Sequence, residues 1–137
     1  MTDFLKSLSI GMQIAQNRHK NFLEIHDIFY ELKKQLESFG KGKILIEFVS
    51  QSGDFFNNEK QDNIYEDKKL YASLAVNPDI VFEQLTEVKF SNEGYPCTIY
   101  IDDNLFDAFD KTGLENNLKI LLESPLTGQK LFDLLTQ

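Results

Sequence analysis

The stretch FLEIHDIFYELKKQLESF, Phe22 to Phe39, runs through GKG at 40–42 into KILIEFV at 43–49. Phe22, Ile25, Phe29, Leu32, Leu36 and Phe39 are spaced by 3, 4, 3, 4 and 3 residues, which places all six on one stripe of an α-helix. Glu24, Glu31, Lys33, Lys34 and Glu37 fall off that stripe. Gly40 and Gly42 end the helix, and from Lys43 the period becomes two: Ile44, Ile46 and Phe48 alternate with Leu45, Glu47 and Val49. That is a strand with one face buried. A stripe of fewer than three heptads with bulky Phe at several positions favours packing on a sheet over a coiled-coil seam.

Upstream, Phe4, Leu5, Leu8 and Ile14 continue an apolar face, and Thr2 or Asp3 is placed to cap its start. Ser9, Gly11 and Asn17 lower helix propensity, so a continuous helix, a bend or a division into two helices near Gly11 all fit the sequence. Downstream, residues 51–69 hold Gly53, several Asn and Gln, and alternating charges. This is a polar connection of unusual length, in which Phe55, Phe56, Ile64 and Tyr65 are the residues able to dock. A second strand alternates through Leu70, Ala72, Leu74 and Val76 and ends at Asn77-Pro78-Asp79. Ile80 to Phe90 reads as a third strand, on the alternation of Glu87-Val88-Lys89-Phe90 and against the helical spacing of Val81, Leu85 and Val88, and Ser91-Asn92-Glu93-Gly94 turns it into Tyr95 to Ile101, a hairpin with Gly94 supplying a positive φ. Pro96 cannot donate to a ladder, so it belongs on an edge or at the start of its strand.

Asp102-Asp103-Asn104 reads as a helix start, with Leu105 to Lys111 as the helix. Leu114, Leu118, Leu121 and Leu122 continue helically to Ser124-Pro125, and Thr127 is the expected cap of a last helix bearing Leu131, Leu134 and Leu135. The fold class is therefore α+β, a single domain over 1–137: a long N-terminal helix packed on an antiparallel sheet of about four strands, followed by C-terminal helices.

Composition narrows the function. The chain has 137 residues, with 22 acidic and 14 basic side chains and a formal charge of -8. One Arg and an excess of carboxylates argue against a nucleic-acid partner. No apolar run approaches the roughly 20 residues that span a bilayer, so no membrane partner is expected. A single cysteine, Cys97, excludes an internal disulfide and suits the cytoplasm.

Catalytic and metal-binding patterns are weak. His19 and His26 are seven residues apart, whereas helical chelation uses i to i+3 or i+4; both read as structural or surface groups. Cys97 has no neighbouring positive charge or glycine-bounded turn, and reads as a buried small residue. No Gly-x-Ser-x-Gly turn and no phosphate loop is present. Asp102 to Asp110 lacks the alternate ligands and central glycine of a calcium loop. No metal, no cofactor and no catalytic residue is expected.

Charge is uneven. Residues 1–78 hold 11 acids and 10 bases, while residues 79–137 hold 11 acids and 4 bases. Asp102, Asp103, Asp107 and Asp110 concentrate the excess, as one acidic helix face in this reading. Such a surface attracts a cationic partner and speeds its association, and Tyr95 and Tyr100 are the aromatic anchors. In size, charge and the segment from Tyr95-Pro96 to Asp110, the chain resembles bacterial immunity proteins, the inhibitors that protect a cell from a toxin. The resemblance implies no enzymatic activity and a basic protein partner, a cognate toxin such as a nuclease, blocked by Asp102, Asp103, Asp107 and Asp110 with Tyr95 and Tyr100. The alternatives are an acidic secretion chaperone for an effector, an enzyme with a carboxylate or His26 site, and a subunit of a larger assembly. Gel filtration separates the first of these from the inhibitor, since the chaperones are usually dimers.

Overall fold

The structure, a computed structural model, describes residues 2–50 and 63–137. Its elements run α1 (Phe4–Phe39), β1 (Ile44–Ser50), β2 (Lys68–Leu74), β3 (Phe82–Ser91), β4 (Gly94–Ile101), β5 (Asn104–Ala108), α2 (Lys111–Glu123) and α3 (Pro125–Leu135). The five strands form one antiparallel meander in the order β1-β2-β3-β4-β5. This is the expected α+β arrangement with one strand more than the sequence reading counted. Phe55 and Phe56 lie outside the described residues.

The strand registers place Ile44, Ile46, Leu70, Ala72, Leu74, Val88, Cys97, Ile99, Ile101 and Ala108 on one face of the sheet, where all are buried. Ile25, Ile28 and Phe29 of α1, Leu114, Leu118 and Leu121 of α2 and Leu134 of α3 close over that face in a single core. The opposite face, which carries Glu47, Tyr71, Thr98, Tyr100 and Asp107, has no helix on it among the described residues. α1 crosses the sheet from β1 to β4, α2 covers β4 and β5, and α3 covers β2 and β3.

α1 is continuous through Gly11, with Asp3 accepting the Lys6 N–H at 3.0 Å as its cap. The division into two helices does not occur: one helix runs through Gly11, where an added Cβ would meet nothing within 4 Å. Phe39, the last member of the stripe, is exposed. A strict 3.5-residue repeat drifts by about 20° per heptad on a straight helix, and by Phe39 the stripe has rotated off the core. β2 stops at Leu74, which leaves Val76 exposed in the following turn.

Two irregularities hold the sheet in register. Leu85 and Thr86 both lie against Leu70 at a bulge in the β2–β3 ladder, and the Thr86 hydroxyl donates to Tyr100 O (2.7 Å) and accepts from Tyr100 N (3.0 Å). A side chain thus replaces the missing ladder partner of β4. Pro96 lies on a central strand, inside the irregularity between Phe90↔Cys97 and Ser91↔Gly94, where no ladder donor is needed. Gly94 has φ +93°, and a Cβ there would stand 3.1 Å from Asn21 Cβ, so the β3–β4 turn approaches α1 closely.

The β1 edge is plugged from α1. Lys33 and Glu37 form an ion pair at 2.8 Å; Glu37 accepts the Ile46 N–H (2.8 Å) and Lys33 donates to Ile46 O (2.9 Å). The outward-facing backbone of β1 at Ile46 is satisfied by side chains instead of by another strand.

The reading of 102–111 needs correction. Asp102 and Asp103, with φ of 50° and 68°, form a two-residue hairpin turn, and Asn104–Ala108 is β5. Aspartate tolerates the left-handed conformation that such turns require at both central positions, and Phe106 and Ala108 alternate inward with Leu105 and Asp107 outward. The helix begins only at Lys111, capped by Asp110, whose carboxylate accepts the Gly113 N–H at 2.8 Å. Thr127 is buried inside α3 and does not cap it; Ser124 holds the cap position with Pro125 at the first turn, where its fixed φ suits a helix start.

Candidate protein-binding surface

The four aspartates do not share a helix face. Asp102 and Asp103 occupy the β4–β5 turn, Asp107 projects from the outer sheet face, and Asp110 sits past the far end of β5 at the start of α2. All four are exposed, and none is ion-paired among the described residues. Three also serve the fold. Asp102 accepts from Ser124 Oγ (2.8 Å), tying the hairpin tip to the α2–α3 junction; Asp107 accepts from Thr98 Oγ1 (2.6 Å) across the β4–β5 pair; Asp110 is the α2 cap. Asp103 makes no side-chain hydrogen bond among the described residues.

The two tyrosines part company. Tyr95 is half-buried on the helix side, where its hydroxyl donates to Glu24 Oε1 at 2.8 Å. Burial first, and then the bond to the Glu24 carboxylate, push its ionisation well above the usual tyrosine range. Tyr100 lies on the open sheet face with the Lys89 ammonium 5.4 Å from its ring. Its hydroxyl holds the exposed Lys89 in the charged form. Tyr95 is thus a strut between α1 and β4, and Tyr100 remains available at the surface.

A second acidic feature forms where two helices meet. α1 and α2 enclose a cleft of about 510 Å³ lined by Lys20, Leu23, Glu24, Asp27, Ile28, Glu31, Lys111 and Glu115. Four carboxylates face two ammonium groups there, and Asp110 lies near enough to act on Tyr95 at its margin. Glu31 is held below the usual carboxylate range by hydrogen bonds from Gln35 and then Lys34. Glu24, Asp27 and Glu31 repeat at 3 and 4 residues, so the signal existed as a second helical stripe beside the apolar one. At the other end of the hairpin, Asp102, Asn104, Phe106, Ile120, Glu123 and Ser124 line a shallower hollow of about 260 Å³.

The groups with catalytic potential are engaged in structure. His19 Nδ1 is 2.8 Å from Tyr65 Oη, and His26 Nε2 is 3.1 Å from Ile64 O. His26 also packs against Phe48 and Phe90, and Phe22 meets Tyr65 and Phe90 edge-on. This aromatic cluster pins the segment before β2 under α1, as expected for Ile64 and Tyr65. Cys97 is fully buried in the core, and burial pushes its thiol up to about 12, the reverse of what a nucleophile needs. Among the described residues no three His, Cys, Asp or Glu side chains are arranged to hold a metal, and no helix is long and apolar enough to cross a membrane. Comparison with known proteins finds no family, no curated protein and no solved structure that matches this chain.

Proposed function

We propose that the chain is a non-enzymatic binding protein, an inhibitor of the immunity type, that docks a basic protein through carboxylates running from the β4–β5 turn to the α1–α2 cleft. The observation that carries the reading is the set Asp102, Asp103, Asp107 and Asp110, all exposed and none of them ion-paired among the described residues. A fold spends such repulsion only weakly on its own stability, but it raises the encounter rate with a cationic cleft. A nuclease toxin, whose active site is built to receive phosphates, has that chemistry.

The test is association kinetics with the protein encoded beside this one in its genome. Asp103→Asn with Asp107→Asn spares the Asp110 cap and the Asp102–Ser124 bond. The double variant is expected to slow association about tenfold at low salt, with the difference closing at high salt as charges are screened. A neighbouring product that does not bind, or binds equally fast to the variant, overturns the reading. The secretion chaperone is the second reading, favoured by the bare apolar surface on the first half of α1.

A further inference from the structure

Every residue of α1 from 4 to 17 is exposed. Phe4, Leu5, Leu8, Ile10, Met12 and Ile14 are each between 54% and 77% exposed, and together they present on the order of 700 Å² of apolar surface, counting roughly 100–170 Å² for each side chain. The body of the protein stops short of them. Arg18 marks the shoulder, where its guanidinium donates to Asn92 O (2.6 Å) and lies 3.9 Å from the centre of the Tyr65 ring.

We propose that this arm is the seat of a second copy of the chain, the two arms crossing antiparallel at Gly11. The arm's pattern is self-complementary about that residue. On the azimuth that continues the buried stripe lie Phe4, Ser7, Leu8, Gly11, Ile14, Ala15 and Arg18. A two-fold axis through Gly11 sets Ser7 against Ala15, Leu8 against Ile14, Phe4 against Arg18, and Gly11 against itself. Large residues meet large ones, and small ones meet at the crossing, where a Cβ on Gly11 would have nothing within 4 Å in the single chain. Isologous contacts of this kind close after two copies.

Area and charge both favour this occupant. A stable interface takes about 800 Å² from each partner. Phe4, Leu8 and Ile14, the large members of that azimuth, supply about half of it at the same rate for each side chain, and the tip reaches the shoulder of the other copy at Arg18, Tyr65 and Asn92, which adds to it. Between Asp3 and Arg18 the only charged residue is Lys6, in a chain of net charge -8, so two arms approach each other without the repulsion between carboxylates that the acidic hairpin would meet. The same pairing brings Asp3 of one copy to Arg18 of the other. A lipid surface fits less well, since interfacial helices carry Lys and Arg along their polar face and anionic headgroups repel an acidic protein.

The inference is independent of the acidic surface, because neither the hairpin nor the α1–α2 cleft includes an arm residue. Sedimentation velocity of the full chain, from about 2 to about 200 µM, a range that brackets ordinary dimer affinities, reads the result. The expected mass is twice 15.9 kDa. Leu8→Glu with Ile14→Glu, both at exposed positions, is expected to raise the dissociation constant at least a hundredfold and, at dilutions where both chains are monomers, to leave the unfolding midpoint of the body where it was. Gly11→Cys tests the crossing: mild oxidation should link two copies through position 11, whereas Ala15→Cys, which faces Ser7, should not link. The buried Cys97 does not compete. A monomer at the highest concentration, a dimer indifferent to the double variant, or linkage at 15 rather than 11 overturns the proposal. So does a monomer that sediments with phosphatidylserine-containing vesicles and loses that binding in the double variant.

Discussion

The two halves of α1 carry the same kind of side chain on the same azimuth and meet opposite fates. From Phe22 onward the stripe is sealed against the sheet, with Phe22, Ile25, Ile28 and Phe29 buried; from Phe4 to Asn17 it is bare. The cause is length. A helix of 36 residues is about 54 Å long, while five strands at about 4.8 Å spacing give a sheet only about 20 Å wide. Apolar periodicity therefore reports which face of a helix seeks cover, and says nothing of whether its own chain provides it.

The contrast can be broken most sharply at Phe29. Phe29→Ala is expected to cost about 3–5 kcal/mol, since the ring is buried and stacks 4.2 Å from Phe48; Leu8→Ala, on the bare half, should change the unfolding free energy of the dilute monomer by less than about 0.5 kcal/mol. Urea unfolding at low protein concentration measures both, and equal costs would abolish the distinction. Next in size is alkaline pH, which probes the core beneath the buried half. The Cys97 thiol ionises near 9 when unfolded and at about 12 when folded, so above pH 9 the unfolded chain releases the proton first and stability falls as pH rises. The expected slope is about 1 kcal/mol per unit. Tyr95 adds a fall of the same sign at higher pH, its ionisation being raised by burial and by Glu24. Urea midpoints at pH 7, 9 and 10.5 should show a weaker decline in Cys97→Ala than in the parent. Smallest is Glu37→Ala, expected to cost about 1–2 kcal/mol through the lost Ile46 N–H bond and Lys33 pair. If thermal melts of that variant match the parent, the buried half owes nothing to its polar flank.

The helix-to-strand passage at Gly40-Lys41-Gly42 was legible because the hydrophobic period changes there. So was the β3–β4 turn, where Gly94 takes the positive φ its position demanded. Asp102-Asp103-Asn104 misled because the residues that cap helices also accept left-handed turn geometry, and the five residues of β5 are too few for alternation to outweigh that signal. The error carried into the site: an acidic helix face became a turn, a strand position and a cap. Asp110, three residues before Gly113, has the spacing of a cap and fills that role. Glu24, Asp27 and Glu31 form a stripe diluted by apolar neighbours, so local charge density does not single it out. What Glu115 adds to that stripe depends on α2 folding back along α1, a long-range fact that no local pattern encodes. Dimerisation through the arm would also leave size alone unable to separate inhibitor from chaperone. The discriminating property becomes whether the partner is held folded or unfolded.

Lys33 and Glu37 do more than finish one strand. Fibrous growth by strand addition requires each molecule to offer two templates, one to receive and one to pass on. With the N–H and C=O of Ile46 both bonded from its own helix, a strand arriving at β1 finds the middle of the ladder already taken, so the β1 edge is a poorer template for such growth than the β5 edge.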